Sequence, residues 1–178
     1  MDAGATSVGE RLRRMREQRG LSLSALARAA GIGKATLSGL EHGTRNPTLE
    51  TLYAVAGALG VPLTALVLHP GDPPAAAVDV RGAAVTATLL EVFDEGGVTF
   101  ELFWMLVRPG VAQHSPAHAA GVTEHITVYR GVLRTGPQSA PIGASAGEHV
   151  SFRADVPHLY EAAGPDDVVA SLLIRSPR

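Results

Sequence analysis

The chain has 178 residues, of which 46% are hydrophobic, so it is long enough for one ordinary domain or two small ones and too apolar for global disorder. It contains no cysteine, which excludes disulfides, thiolate metal sites and cysteine nucleophiles. The net charge of −2 is unevenly spread, because residues 1–70 carry eight Lys and Arg against five Asp and Glu, whereas residues 71–178 carry seven against twelve. This split favours a polyanion-binding module joined to a second domain.

Targeting signals are absent from the sequence as it stands. The first residues lack the apolar run of a signal peptide, and no stretch is long and apolar enough to span a bilayer. We therefore expect a cytoplasmic protein with no membrane partner.

Residues 8–68 have apolar residues at helical spacing and predict five short helices. Capping residues and glycine stops divide the range. The predicted segments run from Val8 to Gly20, from Ser22 to Gly31, from about Lys34 to near Gly43, from Thr48 to Gly60 and from Pro62 to Leu68.

The second and third segments, LSALARAAGIGKATLSGLE, have the spacing of a helix-turn-helix. Ala27 is small enough for close helix approach, Gly31 permits the turn, and Ile32 and Leu37 are expected to be buried. In this motif the second helix lies in the major groove of DNA.

The wider stretch from Leu21 to Leu63 resembles the lambda-repressor-like, XRE-type family of helix-turn-helix regulators. The matching features are LARAAGI, LSGLEHG, the Asn46-Pro47-Thr48 step and ALGVP. The resemblance covers residues 8–68 and implies an all-α five-helix DNA-binding domain. Many members carry glutamine where this chain has Leu23, so no phosphate contact is implied there.

Position in the motif predicts two groups of DNA-binding residues. The start of the recognition helix should face base edges, and the loop after it should contact phosphates. The base-facing residues are Lys34, Ala35 and Thr36, followed by Ser38 and Gly39, and the loop residues are Arg45 and Asn46. Glu41 is expected to be structural and to pair with an arginine of the first helix.

A single helix-turn-helix domain binds DNA weakly, so we expect a homodimer on a two-fold-related double-stranded operator. A helical bundle that uses this fold for protein contacts is the alternative.

HPGDPPAAA, residues 69–77, interrupts the helical pattern with three prolines and a glycine. We place the linker at 69–82. After it the period changes to two, in AVTATLLEVF, VTFELFWMLV, TEHITVYR, GVLRTG, GEHVSFR and DVVASLLIR. About eight short strands with no helix between them predict a β-sandwich or barrel in residues 83–178.

Residues 114–125, HSPAHAAGVTEH, concentrate groups that bind metals. Strand alternation places Glu124 on the apolar face and turns His125 outward. An inward glutamate is costly unless it is hydrogen-bonded, paired or bound to a metal. His114 and His118 would lie ~13 Å apart in an extended strand, so His114 can join the site only if the chain bends.

Residues 83–175 resemble the cupin family of small β-barrels, which implies a double-stranded β-helix. In the first cupin motif Gly110, His118, Glu124 and Gly131 match, while Pro116 replaces a histidine and the spacing from His118 to Glu124 is one residue longer than usual. In the second, the matching residues are Gly147 and His158, and the residues that replace the usual proline and glycine are Arg153 and Asp155.

The cupin resemblance implies a metal set of His118, Glu124 and His158, with His114 or water as the fourth ligand. These donors suit Zn, Fe, Mn or Ni. The alternative is a metal-free pocket in which Glu124 pairs with protonated His118 or His158. An effector pocket would be lined by Phe103, Met105, Glu124 and His158.

The fusion of an XRE-type helix-turn-helix with a cupin resembles a recognised class of bacterial regulators. It implies a transcriptional regulator whose barrel binds a small-molecule effector through a metal or without one. Two alternatives remain at this point: a metal-dependent cupin enzyme of the dioxygenase or isomerase type that carries a DNA-binding domain, and a barrel that only dimerises.

Overall fold

The computed structural model describes residues 8–67 and 79–177, which form two compact units on either side of the intervening segment. Most of the predicted linker, residues 69–78, lies outside the described residues, as does the last residue predicted for the fifth helix. The described helices include none that is long and apolar enough to cross a membrane.

The first unit consists of five α-helices, and their order matches the prediction. They are α1 (Val8–Gln18), α2 (Leu23–Ala29), α3 (Lys34–Glu41), α4 (Leu49–Leu59) and α5 (Thr64–Val67). The predicted caps are present, because the side chain of Ser22 accepts a hydrogen bond from the Ala25 amide and that of Thr48 accepts one from the Thr51 amide. Gly60 ends α4 in the left-handed region at φ 65°, where glycine carries no steric penalty.

Two contacts hold α1 against the end of α3. A Cβ atom at Gly9 would lie 2.2 Å from the carbonyl oxygen of Leu40, so the two backbones approach as closely as the absence of a side chain allows. The Arg16 guanidinium binds Glu41 through two bonds, Nε to Oε1 at 2.6 Å and Nη2 to Oε2 at 2.8 Å. The predicted pairing of Glu41 with an arginine of the first helix is confirmed.

Replacing Glu41 with alanine should lower the free energy of unfolding of the helical unit by about 3 kcal/mol. The Glu41 side chain is 3% exposed and that of Arg16 is 12% exposed, so the arginine would keep a largely buried charge whose remaining contacts are a 3.5 Å contact with Glu17 and a hydrogen bond to the Leu21 carbonyl. Thermal unfolding followed by circular dichroism at the helix band measures the loss.

Glu17→Ala is the matched control, because its pair with Arg13 is more than half exposed on both sides and exposed pairs contribute at most about 1 kcal/mol. Equal losses for the two variants would show that the Arg16–Glu41 pair is not a structural anchor.

The second unit consists of ten strands in two antiparallel sheets. The strands are β1 (Asp79–Arg81), β2 (Val85–Glu95), β3 (Val98–Val107), β4 (Gln113–Ser115), β5 (Thr123–Arg130), β6 (Val132–Pro137), β7 (Ile142–Ser145), β8 (His149–Arg153), β9 (His158–Ala162) and β10 (Val168–Pro177). One sheet has the order β1-β2-β3-β10-β5-β8, and the other has the order β4-β9-β6-β7.

The inward faces of these sheets form the core of the barrel. On β3, β5 and β10 the buried positions alternate with partly exposed ones, and Phe103, Met105, Ile126, Val128 and Leu172 are all at most 3% exposed. A helical unit followed by an all-β cupin barrel is therefore the observed fold class.

The N-terminal limit of the barrel differs from the prediction. Strand β1 pairs antiparallel with β2 through Asp79↔Thr88, Val80↔Ala87 and Arg81↔Thr86, within the range 69–82 predicted as a linker. A strand of three residues next to a proline-rich segment has too little alternation to be recognised, and only its pairing with β2 reveals it.

Candidate functional site

Glu124 on β5 is the centre of a buried polar cluster in the barrel. Its side chain is fully buried, and it projects inward because it shares the parity of Ile126 and Val128. His118 Nε2 donates to its Oε1 at 2.9 Å, and the Tyr160 hydroxyl donates to its Oε2. The predicted inward orientation of Glu124 is confirmed.

His118 is held by a loop that is tied to the segment between β8 and β9. Its backbone amide donates to the Ala154 carbonyl at 2.9 Å, and the Gly121 amide donates to Asp155 Oδ2 at 3.1 Å. The Arg153 guanidinium and the Gly121 amide lower the pKa of Asp155 to about 2, so this carboxylate is ionised in ordinary conditions and the tie is kept. Arg153 and Asp155, which replace the usual proline and glycine of the second cupin motif, thus support the loop that carries His118.

His158 on β9 completes the cluster. Its Nδ1 donates to the Val156 carbonyl at 2.8 Å, and its Nε2 lies 3.4 Å from Glu124 Oε1. That separation is short enough for an ion pair, but the geometry does not make a hydrogen bond, so Nε2 has no hydrogen-bond partner among the described residues. A fully buried ring nitrogen therefore points at Glu124 without a bond of its own.

These three side chains fit a metal ion. Nε2 of both histidines and a Glu124 oxygen are within 4.8 Å of one another, and the separations of 2.9 and 3.4 Å match the ~3–4 Å between donors that bind one ion at about 2.1 Å. The bond from His158 Nδ1 to the Val156 carbonyl fixes the ring so that Nε2 is directed at Glu124, where an ion would be held. Two imidazoles and one carboxylate suit a divalent transition metal, and the donors do not select among Zn, Fe, Mn and Ni.

The protonation of the cluster without an ion follows from its charges. Burial acts to raise the pKa of Glu124, but the charge of His158 and the hydrogen bond from His118 outweigh burial and hold that pKa well below its usual range. Burial likewise acts to lower the pKa of His158, and the Glu124 carboxylate overcomes it and raises that pKa. The metal-free alternative is thus an ion pair between Glu124 and protonated His158.

His114 lies outside this cluster, which corrects its prediction as the fourth ligand. On β4 the side chains of Gln113 and Ser115 face inward and that of His114 is exposed, because it has the opposite parity. His125 also faces away from the barrel interior, as predicted, and its ring stacks on His149 at a centroid distance of 5.9 Å.

The residues predicted for an effector pocket all lie on the inward face. Phe103 on β3 pairs with Leu172 on β10, and Leu172 pairs in turn with Ile126 on β5. Ile126 is two positions along β5 from Glu124, so it shares the inward face. Tyr160 was missed, although it is two residues after His158 on one strand and alternation alone places the two side chains on the same face. Gln113 was also missed; its Oε1 accepts from the amides of Ala84 and Val85.

The residues predicted to contact DNA are all at least partly exposed in the helical unit. Lys34 and Ala35 are exposed at the start of α3, Thr36 and Ser38 are partly exposed, and Leu37 faces the core. Arg45 and Asn46 are exposed in the loop after α3.

Gly39 has a packing role among these residues. A Cβ atom there would lie 3.0 Å from Arg45 Cδ, so the arginine stem lies directly over the glycine. The Thr44 hydroxyl also donates to the Gly39 carbonyl at 3.1 Å. Gly39 therefore positions Arg45, and it offers little surface of its own for a base edge.

Three comparisons with known proteins bear on this architecture. The helix-turn-helix family model HTH_3 matches residues 12–66. The HTH-type transcriptional regulator SutR of Escherichia coli (strain K12) is 34% identical over 178 residues, which cover all of this chain and 99% of that protein. The chain belongs to this family of regulators. It is a transcriptional regulator with an XRE-type helix-turn-helix domain and a cupin-like C-terminal domain.

One solved structure agrees with the family over nearly the whole chain. The crystal structure of an HTH_3 family transcriptional regulator from Vibrio cholerae is 27% identical, covers 96% of each chain and has a TM-score of 0.79. The cupin domain of an XRE family transcriptional regulator from Enterobacter cloacae is 30% identical over 53% of this chain and 99% of that one, with a TM-score of 0.48.

Proposed function

We propose that this regulator binds a two-fold-related operator as a homodimer and that its barrel controls DNA binding through a divalent metal held by His118, Glu124 and His158. The observation that carries the proposal is Nε2 of His158, which is fully buried, makes no hydrogen bond among the described residues and lies 3.4 Å from Glu124 Oε1 in a protein of the regulator family. A buried nitrogen that makes an ion pair but no hydrogen bond is incompletely satisfied, and a metal ion that takes the place of its proton would satisfy it.

When bound, the ion would supply an open coordination position for a small-molecule effector with an oxygen or nitrogen donor. The chain's own residues would orient the metal ligands and line the effector site. Tyr160 holds Glu124 by its Oε2 and leaves Oε1 for the ion, and the Val156 carbonyl fixes the ring of His158. Phe103 and Met105 on the inward face would give the effector an apolar wall.

DNA binding is assigned to Lys34, Ala35, Thr36 and Ser38 for base edges and to Arg45 and Asn46 for phosphates, with Gly39 supporting Arg45. A regulator that acts on DNA in this way works in the compartment that holds the chromosome, which agrees with the cytoplasmic location expected from the sequence.

The test uses the full chain and duplexes selected from a random pool. Operator affinity is measured in a chelator and in Fe²⁺, Mn²⁺, Ni²⁺ or Zn²⁺ alone, and elemental analysis gives the ion retained after dialysis. We expect one ion per chain and an affinity change of about fivefold or more with metal, which is the range of ordinary allosteric coupling. His158→Ala should abolish both the metal retention and the effect of metal on operator affinity. His114→Ala, which removes an exposed histidine, should change neither of these two quantities.

Two results would contradict the proposal. A wild-type chain that retains no ion and binds the operator equally in chelator and metal would favour a barrel that only dimerises. A metal-loaded chain that consumes a small molecule with no change in operator affinity would favour the cupin enzyme.

A further inference from the structure

The outer face of the six-stranded sheet, opposite to the barrel interior, is unusually apolar. Its members, here called the outer sheet face, include Phe93, Phe100, Leu102, Trp104, Tyr129 and Leu173. The register places them together, since Trp104 pairs with Ser171, Leu102 with Leu173 and Phe100 with Phe93. Their inward neighbours Phe103 and Met105 are buried, so this face is the other side of the sheet.

Two aromatic stacks organise this surface. Trp104 stacks on Tyr129 with ring centroids 5.5 Å apart, and the Tyr129 hydroxyl donates to Ser171 on the strand between them. Phe93 stacks on Phe100 at 4.8 Å. The rings are therefore held in place before any partner arrives, which lowers the entropy lost on association.

The exposed apolar area is large for a monomer. Trp104 is 44% exposed, Tyr129 52%, Phe93 39% and the adjacent bulge residue Leu90 46%. At about 200 Å² for a large side chain, these four alone expose about 350 Å². The half-buried leucines add to it, and contiguous patches beyond a few hundred Å² mark interaction sites.

The size of the face matches a dimer interface. The strand lengths, from three residues in β1 to eleven in β2, give roughly 700 Å² at ~3.3 Å per residue and about 4.8 Å between strands. A standard protein interface buries about 800 Å² on each partner. The face is thus large enough to hold a stable partner without help from other surfaces.

Charge distribution identifies that partner as a second copy. The β1–β2 side of the face is acidic, with Asp79, Glu91 and Glu95 on the same parity as Trp104 and with Arg81 paired to Asp79. The β10–β5–β8 side is weakly basic and carries Arg175 and His149, because its Arg153 is paired to Asp155 and burial, with the charges of His149 and Arg175, lowers the pKa of its His125. A two-fold axis that runs along the strands between β3 and β10 would lay each acidic side over the basic side of the other copy.

We propose that the outer sheet face is the homodimer interface, on which a second copy packs sheet against sheet around Trp104 and Tyr129. This interface rests on the proposed function, because binding to a two-fold-related operator requires two DNA-binding domains and therefore two copies of the chain. Leu102 of each copy lies over Leu173 of the other, and the aromatic stacks meet at the centre of the face.

The test is sedimentation velocity of the full chain over a concentration series, together with the fluorescence of Trp104, the single tryptophan of the chain. The wild type should sediment as a dimer, and dilution should shift the tryptophan emission to longer wavelength at the concentration where the dimer dissociates. Trp104→Glu should weaken association by at least about 30-fold, since central aromatic residues contribute about 2 kcal/mol or more. Ile142→Glu is the matched control, because Ile142 is an exposed strand residue of the other sheet, and it should remain dimeric.

Glu91→Lys is a second variant for the case that Trp104→Glu fails to fold. It replaces an exposed residue at the acidic side, places a positive charge against the basic side of the other copy, and should weaken the dimer by about threefold to tenfold at low salt. Circular dichroism establishes that both variants are folded.

A wild-type monomer at tens of micromolar, or equal dimerisation of Trp104→Glu, Glu91→Lys and Ile142→Glu, would overturn the interface. Its failure is distinct from that of the proposed function. A wild-type dimer that Trp104→Glu does not weaken, but whose operator affinity responds to metal, removes the interface alone. A Trp104-dependent dimer whose operator affinity does not respond to metal removes the proposed metal control alone.

Discussion

Glu124→Ala should abolish metal retention and lower the free energy of unfolding of the barrel by about 3 kcal/mol even without metal. The carboxylate accepts from His118 and Tyr160 and lies 3.4 Å from His158, so its removal leaves three buried polar groups around an empty volume. Denaturant unfolding followed by Trp104 fluorescence, at one fixed protein concentration for all variants, reports on the barrel and not on the helical unit, because that residue is the single tryptophan of the chain and lies on β3.

Two variants separate the charge of Glu124 from its volume. Glu124→Gln keeps the shape and an oxygen for the Tyr160 hydroxyl, so it should retain most of the stability and lose the ion. Glu161→Ala removes a partly exposed glutamate that pairs with Arg134, and it should keep the ion and cost at most about 1 kcal/mol. If Glu124→Gln retained a full equivalent of metal, the cluster would not be the metal site.

The double variant Lys34→Ala with Thr36→Ala should lose at least about 30-fold in affinity for a selected operator, since each base contact contributes ~1–3 kcal/mol. Both side chains are at least partly exposed on the first turn of α3, so the helical unit should keep its stability. A gel-shift titration against the operator and a scrambled duplex measures the effect, which should be confined to the operator.

Arg45→Ala provides the contrast. A phosphate contact carries no sequence information, so this variant should weaken both duplexes alike and reduce the salt slope by about one. Arg14→Ala removes the same charge from an exposed position on α1 and should change affinity by less than about threefold. A double variant that still discriminates between the duplexes would place the base contacts elsewhere.

The helical unit was largely predictable because its signals are local. Caps, glycine stops and spacing lie within a few residues of the structure that they determine, as Ser22, Thr48 and Gly60 illustrate. The barrel was predictable only where a strand is long enough to alternate. Strands β1 and β4 have three residues each, and their existence depends on partners distant in sequence.

The same distinction between local and long-range signals applies to the proposed metal site. The alternation of side chains along β5 was enough to predict that Glu124 faces inward and His125 outward. The side of β4 on which His114 lies depends on its pairing with β9, which brings Ser115 opposite His158 and leaves His114 opposite Leu159. Nor could alternation identify the outer sheet face, since both sides of β3 carry large apolar side chains, and Thr99 and Glu101 even lie on its buried side.

Gly9 has no reactive group, yet the close approach that it permits fixes the position of α3, the helix that we propose reads the operator. Because α1 touches the carbonyl of Leu40 directly, even one methyl group at this position would have to displace the last turn of α3 or tilt the whole helix. Base-edge hydrogen bonds weaken steeply over a few tenths of an ångström. Divergence of this family toward new operators is therefore expected to proceed through the exposed residues of α3 while position 9 stays glycine, so that specificity can change without realignment of the helix that carries it.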